Sequence, residues 1–132
     1  MTTFNITEFY ADYIEALNTR NFDKMNEFVA DEVTLNGQPG TRDAVVADQK
    51  SIVEAVPDFH WNVQELLVDG NRAGARLVNT GTPTKTWHGV EPTGASFENV
   101  EYAIYEIRDG KFVDMTFIHD SADAERQLRA TA

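Results

Sequence analysis

The stretch SFENVEYAIYEIRDGKFVDMTFIHD, from Ser96 to Asp120, sets the architecture. Ser96 to Arg108 and Lys111 to His119 are rich in branched and aromatic residues with a two-residue period. Asp109-Gly110 joins them, and the glycine tolerates the positive φ of a tight turn, so a long antiparallel hairpin is predicted. Upstream, Phe59 to Val68 and Arg72 to Asn79 show the same period on either side of Asp69-Gly70-Asn71, which extends the hairpin into a meander. Downstream, Ser121 to Arg129 predicts a short closing helix. Nearer the N-terminus the period becomes helical. Ile6, Phe9, Tyr10, Tyr13 and Leu17 form one stripe of a helix between Phe4 and Leu17, capped by Asn5 or Thr7. A short helix is expected over Lys24 to Val29, then a β segment over Glu32 to Leu35 that Asn36-Gly37-Gln38-Pro39-Gly40 breaks. A further helix fits Arg42 to Ala55, with Pro57 as its stop. Helices followed by antiparallel strands give an α+β fold, in which a curved sheet wraps the N-terminal helices and encloses a pocket. With 132 residues, one domain over 1–132 is expected.

Composition excludes several classes of function. Apolar residues make up 42% of the chain and aromatics 11%, which is enough for a substantial core. The formal charge of -11 repels polyanions, so neither nucleic acid nor an anionic membrane surface is an expected partner. Met1 to Asn5 carry neither the basic start nor the apolar run of a secretory leader, and Asn5-Ile6-Thr7 is read as a chance sequon. With no Cys, there is no disulfide, thiolate metal site or thiol nucleophile, in keeping with a cytoplasmic location. His60 and His88 are far apart and lack metal-ligand spacing, so no metal is expected. No phosphate loop, dinucleotide fingerprint or serine-hydrolase elbow occurs, and no cofactor is expected.

Strand alternation places Phe112, Asp114, Thr116, Ile118 and Asp120 on one face of the last strand, and Val113, Met115, Phe117 and His119 on the other. The first, mixed face suits a ligand cavity, where apolar walls raise the proton affinity of a carboxylate. The second suits pairing of two sheets in a homodimer. Asp120 equally serves as the cap of the helix from Ser121. His119 partners Asp120 only if the strand has ended there. On the preceding strand Val100, Tyr102, Ile104 and Glu106 oppose Asn99, Glu101, Ala103 and Tyr105; one of these faces lines the cavity, with Tyr105 and Glu106 as candidates. Trp87 either stacks on a planar ligand or packs under the adjoining loop, and His88 either reaches the pocket mouth or faces solvent.

Several segments come in the order seen in SnoaL-like polyketide cyclases: Tyr13 to Asn18, Pro57-Asp58-Phe59, Gly89-Val90-Glu91-Pro92-Thr93-Gly94, Arg108 to Lys111, and Asp120 followed by Gln127-Leu128. The chain resembles that family over nearly its whole length. The resemblance implies the NTF2-like cone-shaped α+β barrel, pairing through the sheet, and cofactor-free intramolecular aldol closure of polyketide esters. It implies that Asp120 is the acid/base aspartate and that Tyr10, Tyr13 and Asn36 belong to the site. Where the family carries a Gly-Thr-His segment, this chain has Gly81-Thr82-Pro83. Proton abstraction beside a carbonyl also serves a related hydroxylase, dehydratase or isomerase, and NTF2-like domains also act as non-catalytic binding modules for small molecules or proteins.

Overall fold

The computed structural model describes residues 4–130; Met1 to Thr3, part of the stretch read for a leader, and the last two residues lie outside them. Helix α1 (Ile6–Asn18) is capped by Asn5, whose Oδ1 accepts the Glu8 amide at 3.0 Å, so of the two caps on offer Asn5 is the one used. Its stripe of Ile6, Phe9, Tyr10, Tyr13 and Leu17 is buried as the spacing requires. The helix expected over Lys24 to Val29 is instead a 3₁₀ turn at Phe22–Glu27, and Val29 already opens strand β1 (Val29–Leu35). Phe22 and Met25, three apart, are its buried residues, and a three-residue repeat stacks them on one side.

Asn36 and Gly37 have φ of 49° and 80°, the pair of left-handed residues that makes a type I′ turn. The segment expected only to break the strand therefore closes a hairpin, with β2 (Gln38–Thr41) returning so that Gln38 faces Leu35. Helix α2 (Arg42–Ala55) has the expected bounds, its first turn held by Thr41 Oγ1 accepting the Ala44 amide. The meander follows as β3 (His60–Asp69), β4 (Arg72–Gly81), β5 (Phe97–Arg108) and β6 (Lys111–His119), and α3 (Ser121–Arg129) closes the fold.

The strands form a six-stranded sheet in the order β2-β1-β6-β5-β4-β3. Neighbours are antiparallel except β1 and β6, which are parallel. The expected α+β architecture is present, with an open sheet whose edges are β2 and β3, so helices complete the enclosure that strand pairing leaves unfinished. Asn18 ties the end of α1 to β3, donating to the Trp61 carbonyl at 3.0 Å and accepting from the Trp61 amide at 2.9 Å.

A bulge in β6 changes which residues face inward. Glu106 lies opposite Asp114 but Ile107 opposite Phe112, which leaves Val113 as the extra residue and puts Phe112 on the same side as Met115. Both are fully buried, and Phe112 packs its ring against Phe9, Tyr13 and Tyr105 at centroid distances of 4.9, 4.9 and 4.7 Å. The expectation that Val113, Met115 and Phe117 present a free apolar face is therefore corrected: Met115 is core and Phe117 packs against it. On the opposite face cross-strand pairing places the exposed Ile118 beside the exposed Tyr102, and the exposed Ile104 and Leu67 on either side of Gly74.

Candidate active site

A cavity of about 400 Å³ opens between α1, α2 and the inner face of the sheet. Leu17, Leu35, Val45 and Ile52 line it with aliphatic side chains, as Phe117 does with its ring, and Phe59, Trp61, Trp87 and Phe97 form an aromatic group. Those rings support one another: Phe59 lies 4.5 Å from Trp61, and Trp87 stacks on Phe97 at 6.3 Å with the planes 16° apart. Polar groups interrupt these walls at Tyr13, Asn36, Asp48, Gln49, Asn99 and Glu101, together with His88 and His119. No Lys or Arg lines the cavity among the described residues.

His119 and Glu101 face each other across β6 and β5, and the imidazole Nε2 lies 3.3 Å from Glu101 Oε1. Glu101 is 4% exposed, and its Oε1 also accepts from Asn79 Nδ2 at 2.7 Å. The hydrogen bond to Glu101 holds His119 above the usual imidazole range; burial opposes this, while the charges of Glu101 and Asp48 add to it. The Asp48 carboxyl is pushed up, chiefly by loss of water, although much of the residue still meets solvent at the rim of the cavity. His88 moves the other way. Burial, then repulsion from His119, lower its pKa and favour the neutral ring. It sits with Gly89 at φ of 50° and 76°, turning the chain between Trp87 and Val90, whose backbones exchange two hydrogen bonds of 2.9 Å.

Of the residues expected at the site, Tyr13, Asn36, Trp87, His88 and His119 line the cavity. Asn36 also has a structural task, since its Oδ1 accepts the Phe117 amide at 2.7 Å and joins the β1–β2 turn to β6. Tyr10 and Tyr105 lie in the core, outside the lining, with their hydroxyls 3.0 Å apart; burial raises both phenol pKa values and keeps the groups neutral. Glu106 is on the outer face, paired with Arg72 and Arg108, and Ile118 is 67% exposed there. The mixed face of β6 thus points outward and the more apolar face, ending in His119, points into the cavity.

Asp120 is exposed and does not line the cavity. Strand β6 ends at His119, and the chain then turns into α3, whose free first-turn amides need an acceptor. Asp120 Oδ1 supplies it, accepting the Asp123 amide at 3.0 Å, while Asn99 Nδ2 donates to the Asp120 carbonyl at 2.7 Å. The carboxylate hydrogen-bonded to His119 is Glu101, not Asp120. Among the described residues no group of three or more His, Asp or Glu is placed to hold a metal ion.

Comparison with known proteins relates the chain to a family with this fold. The model of the SnoaL-like polyketide cyclase family matches residues 7–128. The chain belongs to that family. A SnoaL-like polyketide cyclase from Agrobacterium tumefaciens C58 has a similar structure, with a TM-score of 0.89 at 25% identity, covering 96% of this chain and 99% of that one. IdmH from Streptomyces antibioticus superposes with a TM-score of 0.84 at 25% identity over 92% and 96% of the two chains. TsrD from Streptomyces laurentii shares the fold, with a TM-score of 0.86 at 20% identity over 96% of each. No curated protein matches the chain.

In this SnoaL-like chain the sequence reading passes over Asp48, Gln49 and Glu101 as site residues. A signal for two of them is present. Gln49 follows Val45 by four and precedes Ile52 by three, so it is a polar residue on the inward stripe of α2. Glu101 shares its strand face with Ala103 and Tyr105, a carboxylate in a buried series. Asp48 carries no such mark, because helical periodicity alone does not tell a rim from a solvated face.

Proposed function

We propose that this protein is a cyclase-like enzyme acting on a neutral, mainly apolar carbonyl or ester compound, with His119 moving the proton for intramolecular aldol closure. The observation that carries the reading is the pairing of His119 with the buried Glu101 inside a cavity of mostly apolar walls. With Nε2 turned to Glu101, Nδ1 is the nitrogen left for a ligand. Neutral His119 takes a proton from the carbon beside a carbonyl, and Glu101 stabilises the imidazolium that results. The enolate carbon then bonds to a second carbonyl of the same molecule, and the alkoxide recovers the proton from His119. Proton count and electrons balance without a redox partner. This role for His119 takes the place of the one expected for Asp120, whose side chain is occupied as the α3 cap.

The pH dependence tests the reading. Activity depends on the neutral imidazole, so kcat/KM rises as pH passes through the His119 pKa, which the hydrogen bond to Glu101 raises above the ordinary imidazole value. In Glu101→Gln the partner that raises this pKa is gone, so the acidic limb moves to lower pH and the plateau rate falls. An unmoved limb in a folded Glu101→Gln variant overturns the assignment. Product of unchanged mass with one new ring marks the closure itself.

We also propose that two copies pair through the outer face around Tyr102, Ile104 and Ile118. The patch is bordered by charges of both signs, Arg76 with Glu65 and Arg72 with Glu106, and an isologous contact needs that self-complementarity. Sedimentation at micromolar concentration is expected to give a dimer for the wild type and a monomer for Ile104→Glu. A wild-type monomer under those conditions rules the pairing out.

A further inference from the structure

We infer that Gln49 and Trp87 set the substrate specificity of this cavity: Gln49 Oε1 accepts a hydrogen bond from a substrate hydroxyl, and the Trp87 indole N–H donates to a substrate carbonyl oxygen. The compound class is a neutral hydroxylated aromatic carbonyl. This deepens the proposed cyclase function and rests on it.

Gln49 is 5% exposed, lines the cavity from α2, and its Oε1 is buried without a hydrogen-bond partner. Its side chain is held in place by a hydrogen bond with Tyr13. Trp87 Nε1 is likewise buried and without a partner, and the ring is fixed by stacking on Phe97 and by an edge-on approach of Phe59 at 6.1 Å. Buried polar atoms in native proteins nearly always have a partner. Here one free acceptor and one free donor belong to walls that are otherwise largely apolar, which is the pattern of a site whose ligand supplies the missing groups. Another such atom among the described residues, Asn79 Oδ1, belongs to a residue outside the cavity lining and plays no part.

The ligand's charge and shape follow from the same walls. Asp48 and Glu101 supply two carboxylates, and the lining answers them with the imidazole of His119 and, among the described residues, no Lys or Arg, so a free acid is disfavoured against its ester. The rings of Phe59, Trp61, Trp87 and Phe97 favour a planar aromatic body. A site built to pair with a hydroxyl rejects the analogue that lacks it far more strongly than an apolar pocket rejects a missing methylene.

Calorimetric titration of the full chain with isomeric methyl hydroxynaphthoates, their methyl ethers, the free acids and unsubstituted naphthols tests the inference. For at least one isomer, the wild type is expected to bind the hydroxy ester about tenfold or more tightly than its methyl ether. Gln49→Leu is expected to bring that pair within about twofold, and Trp87→Phe to weaken the ester about tenfold more than the naphthol, which loses only ring contact. Equal binding of hydroxyl and ether by the wild type, which requires no variant to fold, overturns the role of Gln49. Equal loss of ester and naphthol in Trp87→Phe overturns that of Trp87, and absence of binding by every probe overturns both. His119→Gln is expected to keep the hydroxyl preference, so a failure of the proton-transfer role leaves this selectivity standing and the two are told apart.

Discussion

His119→Gln lowers kcat/KM for ring closure by about two to four orders of magnitude, the contribution of a positioned general base. The glutamine amide still donates to Glu101, so the buried carboxylate keeps a partner and the variant melts with the wild type. At 37% side-chain exposure, His119 has room for the exchange without overpacking the cavity. Asp120→Asn is the necessary counterpart. Asn caps a helix about as well as Asp, so stability is retained, and with the base at His119 the rate stays within about twofold of wild type. The measurement is kcat/KM for both variants on one substrate, with thermal melting of each. A folded Asp120→Asn with less than about a hundredth of the wild-type rate, beside an active His119→Gln, returns the base to the aspartate.

Phe112→Ala destabilises the fold by about 3–5 kcal/mol, the range for emptying a fully buried aromatic position. Three other rings, Phe9, Tyr13 and Tyr105, meet Phe112 and come from α1 and β5, so one truncation loosens the joint between helix and sheet. Their backbones are held by the ladder and the α1 cap, which limits how far they can close the gap. Urea unfolding followed by circular dichroism checks this through the change in midpoint at constant slope. Because Tyr13 also lines the cavity, ligand affinity is expected to fall as well. A loss below about 1.5 kcal/mol would show that the cluster relaxes around the gap and does not act as a rigid joint.

The long elements were legible because each carries its own period. The helix α2 and the strand β6 have the bounds that residue patterns assign them, and the Asp109-Gly110 turn adopts φ of 52° and 75° as its dipeptide implies. The Asn36-Gly37 turn carried the same type of signal, yet Pro39 and Gly40 obscured the short strand after it. An edge strand tolerates both residues because half of its hydrogen-bonding groups face away from the sheet.

The inward face of β6 was not legible. Alternation divides a strand into two sets but does not say which set is inside, and the extra residue Val113 moves Phe112 from one set to the other. That choice carries the site with it: His119 turns inward to Glu101 and Asp120 is left to cap α3. The amino-acid pattern, being local, was enough for element type, order, the α+β class and the family resemblance. The carboxylate that meets His119, and the polar atoms left open toward a ligand, depend on registers between residues far apart in the chain, and only packing of the sheet against its helices brings those together.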